Sequence, residues 1–293
     1  MANAGLTERK GLAEPTLYVV ATPIGNLADI TLRALEVLRS VDMVAAEDTR
    51  VTQNLLNHHG IRTRLLAVHE HNERKAADQL IAALAKGHSV ALVSDAGTPA
   101  ISDPGEIAVA HVREAGYPVV PVPGASAILA AVAASGIRAL PLFFHGFLPT
   151  RKAEREKVLQ EMKSQPGMLA FYEAPHRIVE SVESIAAVLG GERRIVIARE
   201  LTKMFEQIQV CKLSAAADWL RENDDHRRGE FVLLVEGLGE GAEIGHDDSE
   251  RILGILLREL PLKQAVKLAA EITGAKKNAL YDRALELKAG QGD

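Results

Sequence analysis

Along the first half of the chain, short apolar runs alternate with amphipathic segments of helix length. LYVVAT, MVAAE, LLAVH, VALVSD and VVPVP are separated by TLRALEVLRSV, TQNLLNHHG, AADQLIAALAKG and EIAVAHVREAG. Strands that run the same way need a long crossover between them, usually a helix, so this alternation predicts a mostly parallel sheet covered by helices. After ASAILAAVAASG the text changes to IRALPLFFHGFLP, where Pro141 and an aromatic cluster mark a domain boundary with a hinge near 138–145. The alternation then resumes in GMLAFYEAP, RIVESVESIAAVLGG, RRIVIAREL, QIQVCKL, SAAADWLREN and EFVLLVEGL, predicting a second α/β domain with a mixed sheet. A chain of 293 residues is comfortable as two such domains.

The flanking segments differ in composition. Residues 1–15, MANAGLTERKGLAEP, mix charge with small residues and lack an apolar stretch, so they read as a disordered tail and not a secretory signal. The two domains are then residues 16–138 and 139–238. Residues 239–249, rich in Gly and acid, have linker composition. Residues 250–293 show helical periodicity interrupted at Pro261 and Gly274, which gives three short helices. LKQAVKLAAEITGAKKNALYDRAL has the outline of a helix-turn-helix, and a helical cap on the second domain is the competing reading.

Several function classes are excluded by what the chain lacks. Its one cysteine, Cys211, permits no intramolecular disulfide framework and no Cys-based zinc site, which fits a reducing, cytoplasmic setting. The longest small-apolar run, ASAILAAVAASGI, falls far short of the ~20 residues of a membrane helix, so a soluble protein without membrane contact is expected. Net charge of −5 and a pI near 6.1 argue against binding nucleic acid through the overall field. Local basic patches remain at 151–157, 226–228 and 275–283, each of which also reads as a solvated helix face. No GxxxxGK[ST] and no GxSxG is present, and GLGEGA is followed by acidic EIGHDD where a dinucleotide site needs an apolar helix. NHHG and HEHNE lack the HExxH spacing and Cys partners of a zinc site, so His69 and His71, with Glu70 opposite, read as surface or interface residues and no metal is expected.

Chemistry concentrates in the loops that end the first-half strands: ATPIGNLADIT, AEDTR, SDAGTPAISDPG and PVPGASA. In an open α/β sheet ligands bind beyond the carboxyl ends of the strands, where helix starts present backbone N–H groups. Taken singly, Asp29, Ser102, Asp103 and Ser126 read as helix caps; gathered on one rim, these loops predict a small-ligand site.

The longer motifs LYVVATPIGNLADITLRALEVLRSVDMVAAEDTR, VSDAGTPAISDPG, PVPGASA, FHGFLP, FYEAPHRI, ARELTKMFEQ and GEFVLLVEG together resemble the tetrapyrrole methylase family, the class III methyltransferases that use S-adenosylmethionine (SAM). Within it they are similar to the bacterial branch that methylates the ribose 2'-OH of a cytidine in 16S rRNA of the small ribosomal subunit. The resemblance runs from about Leu17 to Leu238, the tail resembles the helical extension of many members, and KMFEQ, where a second acid often follows Glu206, is a mild departure. It implies two α/β domains with the cofactor cleft between them, a homodimer, and 16S rRNA or the small subunit as partner. It also implies SAM contacts at Ser94, Asp95, Ala96, Gly97 and Thr98, with Pro23 and Ile24 on the rim and Ser126 and Ala127 beyond. Tyr172, Leu201, Gly229, Glu230 and Phe231 of the second domain would close over the adenosine.

A ribose hydroxyl is a weak acid, so a general base or nearby cation should assist transfer. Glu47, Asp48 and Arg50 of AEDTR are the candidates for base and positioning groups, with Asp29, Arg177 and Lys203 as second choices. The alternative is structural: a Glu47–Arg50 ion pair, with Asp48 capping the following helix. Asp95 to Thr98 are expected against SAM, while Ser102 and Asp103 turn the chain into the helix after Pro104. Two other readings stand beside this one. A tetrapyrrole (precorrin-like) methyltransferase of the same fold would usually carry GxGPGD where this chain has TPIGNL. A ribosome assembly factor would bind SAM without transferring it.

Overall fold

The computed structural model describes residues 14–69, 72–138, 141–238 and 246–289. Glu70, His71 and nearly all of the 1–15 tail lie outside the described residues.

The first domain comprises β1 (Leu17–Val20), α1 (Leu32–Ser40), β2 (Met43–Ala46), α2 (Thr49–His58), β3 (Arg64–Ala67), α3 (Glu73–Ala85), β4 (Val90–Val93), α4 (Glu106–Glu114), β5 (Val119–Val122) and α5 (Ala127–Ala134). Its strands pair in the order β3-β2-β4-β1-β5, all parallel. Successive residues of a strand point to opposite faces. Tyr18, Val20, Val44 and Ala46 accordingly meet Ala34, Val37, Leu38 and Leu56 of α1 and α2, while Leu17, Ala45, Val90 and Leu92 meet α3 and α4 through Ala77, Leu80, Ala108 and Val112. Pro121 sits in β5, an edge strand, where a missing N–H need not interrupt the ladder.

The second domain comprises β6 (Leu142–Phe147), α6 (Lys152–Met162), β7 (Met168–Glu173), α7 (Ile178–Leu189), β8 (Arg194–Arg199), β9 (Gln207–Lys212), α8 (Leu213–Glu222) and β10 (Phe231–Val235). The order is β6-β7-β10-β8-β9, with β6 parallel to β7 and the remaining pairs antiparallel, the mixed sheet that the sequence predicts. Helices α6, α7 and α8 cover one face, where Leu159, Val182, Ile185 and Leu220 pack on Leu169, Phe171, Ile197 and Leu233. The other face takes α5 of the first domain: Ile128, Ala131 and Ile137 join Met168, Ala170, Val196, Ala198, Val232 and Leu234 in one core. Helix α5 therefore packs beneath the second sheet, with Ser126 and Ala127 at its N-terminus bordering the cleft.

Three further helices, α9 (His246–Glu259), α10 (Leu262–Thr273) and α11 (Lys277–Ala289), share a separate core of Leu253, Val266, Ala269, Leu280 and Ala284. Helix α9 begins inside the 239–249 stretch. Pro261 and Gly274 flank α10 as the sequence predicts, Gly274 ending it in the left-handed conformation at φ 71°. Among the described residues no helix is long and apolar enough to cross a membrane.

Candidate active site

The loops after β1 and β4 are zipped together. Thr22 N–H donates to the Gly97 carbonyl at 2.8 Å and Gly97 N–H returns a bond to Thr22 at 3.0 Å. Gly97 has φ 78°, and a Cβ there would lie 3.4 Å from Ile24 Cγ2, so the turn suits glycine. On one side of this wall lies a cavity of about 420 Å³ between the domains. Ile24, Ala96, Gly97, Thr98, Ser126 and Ala127 line it from the first domain, and Tyr172, Leu201, Glu230 and Phe231 from the second, all residues that the resemblance assigns to SAM. On the other side lies a cavity of about 230 Å³ lined by Pro23, Ser94, Asp95, Leu27, Val51 and Asn54. The implied contacts Pro23, Ser94 and Asp95 thus fall on a separate compartment, because Asp95 turns its carboxylate toward α2 and accepts the Asp48 N–H at 2.9 Å. Gly229 is outside both linings; at φ 92°, a side chain there would collide with Glu200.

At α1 and α4 the capping groups differ from those the sequence suggests. Thr31 caps α1 and Asn26 caps the short turn Leu27–Asp29, which leaves Asp29 without that task. Helix α4 is capped by Glu73: its buried carboxylate accepts the N–H groups of Gly105 at 2.9 Å, Ile107 at 2.8 Å and Ala108 at 3.2 Å. Ser102 and Asp103, expected to turn the chain into α4, instead line the large cavity. Ser126 occupies the N-cap of α5 without a capping bond, and the Tyr172 hydroxyl from the second domain receives the Ile128 N–H. Sequence reasoning named Ser102 and Asp103 but gave them a local role; the distant cap supplied by Glu73 carries no short-range signal.

The AEDTR carboxylates separate by environment. Asp48 caps α2 through the Arg50 N–H at 2.8 Å and holds the Arg50 guanidinium at 2.5 Å. Those two bonds pull Asp48 down to about 2, unsuited to accept a proton near neutrality. The helix-capping reading of Asp48 is therefore the observed one, but Arg50 pairs with Asp48 and not with Glu47. Glu47 is pushed up by burial, against a backbone hydrogen bond from Asp95, with Asp95 and Asp48 adding to the rise. Asp103 is pushed up to about 6 by burial first and then by the Glu47 charge.

Two contacts fasten the domains across the cleft. Asn26 N–H donates to Thr202 Oγ1 at 3.1 Å, and a Cβ on Gly25 would lie 2.5 Å from Lys203 Cγ, so the first-domain loop presses closely on the loop after β8. Lys203 Nζ reaches Glu200 at 2.9 Å and Glu230 at 3.0 Å. Burial opposes its charge, yet these two carboxylates hold the ammonium above its ordinary value. Gly146, at the β6 bulge, would place a Cβ 3.0 Å from Ser102 Oγ. Arg177 instead serves the second domain internally, on the Leu148 carbonyl and Glu173.

Residues 16–217 match the family profile Tetrapyrrole (Corrin/Porphyrin) Methylases, and residues 243–288 match that of the RsmI C-terminal HTH domain. The chain belongs to the tetrapyrrole methylases. It is 52% identical over 273 residues to Ribosomal RNA small subunit methyltransferase I of Pseudomonas aeruginosa, covering 92% of this chain and 97% of that protein. The protein of that name from Escherichia coli O157:H7 is 51% identical over 270 residues, covering 92% and 94%. These relatives place the chain in the small-subunit methyltransferase I branch. The methyltransferase CobJ matches in structure with TM-score 0.58 at 20% identity, covering 77% of this chain and 95% of that one. Cobalt precorrin-4 methyltransferase CbiF matches with TM-score 0.54 at 19% identity, covering 75% and 94%. At that identity both show the tetrapyrrole methylase fold.

The large cavity suits the SAM of this family. Its volume lies in the range of small-molecule sites, Ser126 and Ala127 border it at the start of α5, and Leu201, Phe231 and Val232 give an apolar wall for an adenine. The basic patches fare unequally. Arg155 is buried, bonded to Ser184 Oγ at 3.0 Å and the Thr150 carbonyl at 3.1 Å, so it cannot meet RNA. Arg227 and Arg228 pair with Asp224 and Asp225, and His226 stacks on Trp219 with ring centroids 4.0 Å apart. Lys276 and Lys277, by contrast, stand exposed at the start of α11.

Proposed function

We propose that this chain is a SAM-dependent methyltransferase acting on the ribose 2'-OH of a cytidine in 16S rRNA of the small ribosomal subunit. The observation that carries this reading is the pair of adjoining cavities divided by the Thr22–Gly97 wall, one shaped for the cofactor and one open beside it, in a chain about half identical to proteins named for small-subunit rRNA methylation. When bound, SAM supplies a methyl group activated by its sulfonium. The chain's own residues supply position: the Gly97 turn and the start of α5 border the polar end, and Leu201, Phe231 and Tyr172 exclude water from the other. Correct placement of the acceptor oxygen then carries much of the rate. Pro23, Leu27 and Val51 offer flat apolar walls on the acceptor side.

The finer parts of the reading belong here too. The helical unit α9 to α11 contacts the rRNA, the enzyme works in the cytoplasm, and it is a homodimer, for which Met204 and Phe205, 89% and 68% exposed on one loop, offer apolar surface. The precorrin-acting alternative rests on fold likeness at 19–20% identity. Isothermal titration with SAM, tritium transfer to small subunits, and mapping of 2'-O-methylation in a deletion strain test the proposal. SAM binding without transfer to small-subunit rRNA, or an unchanged methylation map, would sink it.

A further inference from the structure

We propose that Asp103 is the catalytic base, the group that takes the proton from the acceptor hydroxyl as its oxygen receives the methyl group. The proposal rests on the methyltransferase reading above and moves the base away from the AEDTR loop, where residue types alone would put it.

Position is the first argument. Asp103 lines the large cavity and Ser94 the small one, and the Ser94 hydroxyl, 3.3 Å from the Ala96 carbonyl, is also within hydrogen-bonding reach of the Asp103 carboxylate. Asp103 therefore stands at the seam between the compartment fitted to the cofactor and the compartment beside it. An acceptor held in the small compartment would approach the cofactor compartment past this carboxylate.

The second argument is that nothing structural requires this side chain there. Glu73 holds the N-terminus of α4, and that relieves Asp103 of capping. The loop around it is nonetheless tightly specified. Ala100 and Ser102 hold φ 64° and 66°, a left-handed conformation that costs a non-glycine residue of order 1 kcal/mol or more. Gly105 is packed so that a Cβ would lie 3.1 Å from Leu92 Cδ2, and Ser102 abuts Gly146 of the other domain. Strain of this kind persists where surrounding structure over-determines a side chain's position.

Chemistry is the third. The charged and titratable groups facing Asp103 are Glu47 from the end of β2, Asp95 from the end of β4 and Tyr172 from β7. With carboxylates for neighbours and a partly buried setting, Asp103 titrates at about 6, so it is ionised at neutral pH yet more basic than an ordinary aspartate. Glu47 is raised too, but its carboxylate faces the Asp95 N–H at 3.4 Å and lines neither cavity. The step balances simply. The acceptor oxygen forms the new bond to the methyl carbon, the carbon–sulfur bond breaks with its electron pair going to sulfur, and the hydroxyl proton passes to Asp103.

Three measurements on the full chain test this. Asp103→Asn should lower kcat by about 10²- to 10⁴-fold, the usual contribution of a general base, while SAM affinity by calorimetry stays unchanged and Asp103→Glu recovers part of the rate. In the cofactor-free protein, carbon-13 aspartate spectra should show one carboxyl titrating near pH 6 that vanishes in Asp103→Asn. The low-pH limb of wild-type kcat/KM should fall with that same carboxyl. An Asp103→Asn enzyme that methylates at near the wild-type rate overturns the proposal, and so does one whose rate loss is matched by loss of SAM affinity. A wild-type enzyme inert toward rRNA overturns the function reading itself, a result distinct from an active wild type with an unimpaired variant.

Discussion

Glu73 opens α3 and Gly105 immediately precedes α4, and the Glu73 carboxylate accepts the Gly105 N–H at 2.9 Å as the first of three such bonds along the start of α4. A negative group at a helix N-terminus meets both unpaired N–H donors and the positive end of the helix dipole. Glu73→Ala should therefore destabilise the protein by about 2–4 kcal/mol, since buried donors lose an ionised acceptor. Glu73→Gln should cost less because one carbonyl oxygen remains. Urea unfolding checks both, and a Glu73→Ala midpoint equal to wild type would refute the capping role.

Gly97 and Asp103 share one loop but should fail differently. A Val at 97 must adopt φ 78° and push against Ile24, which deforms the wall of the large cavity. Gly97→Val should weaken SAM binding by at least about tenfold, equivalent to some 1.4 kcal/mol. Asp103→Asn should leave SAM binding intact. Titration calorimetry on the two variants side by side separates them, and equal losses of affinity would show that both residues hold cofactor.

Why was so much of this legible in the sequence, and where did legibility end? Strands β1 to β5 announce themselves because VALV and its fellows are short apolar runs between amphipathic helices, and Pro261 and Gly274 bracket α10 through backbone chemistry that acts at one residue. Asp48 could be read as a cap because its partner is two residues away. Asp103 could not be freed from that reading, because the true cap of α4 lies 32 residues upstream. The sequence likewise assigns α5 to the first domain, while Ile128 and Ala131 pack on β7 and β10 of the second. Long-range partners decide these cases, and pattern spacing is blind to them.

Domain fastening should be measurable at Gly25. A β-branched side chain there would press on Lys203 Cγ, on Thr202 Oγ1 at 3.0 Å and on the Leu201 carbonyl at 3.1 Å. The lysine stem can move, but the carbonyl belongs to backbone that lines the SAM cavity. Gly25→Val should thus lower SAM affinity several-fold, whereas Gly60→Val, where a Cβ meets nothing within 4 Å, should not. Unchanged SAM affinity in Gly25→Val would mean that the loop contact is incidental to the site.

The raised Asp103 carries a stability cost with a definite pH sign. Its ordinary value is 3.8 and its folded value about 6, so between these the folded state binds more protons than the unfolded chain. Stability then falls as pH rises through that window, and the cost is constant above it. Below the ordinary value both states are protonated and the cost vanishes. Asp103→Asn should melt a few degrees above wild type near pH 8 and together with it near pH 3. Melting curves at the two pH values decide, and a stabilisation confined to low pH would reverse the assigned direction.

Lys276 and Lys277 stand where helix electrostatics disfavour them. The start of α11 has positive dipole character, its first turn carries no acid, and both lysines are exposed. Under the proposed contact of α9 to α11 with rRNA, a phosphate backbone would supply an anion opposite these two lysines. Replacing both by Glu should relieve the dipole conflict, so the melting temperature should hold or rise. The same change should raise KM for the small subunit and reduce the salt dependence of binding by about one in log–log slope for each phosphate that is no longer neutralised. SAM affinity should not move, because α9 to α11 have a core of their own. Small-subunit KM measured across a salt series gives the answer: a double variant with wild-type KM and wild-type slope would take RNA binding away from these two lysines.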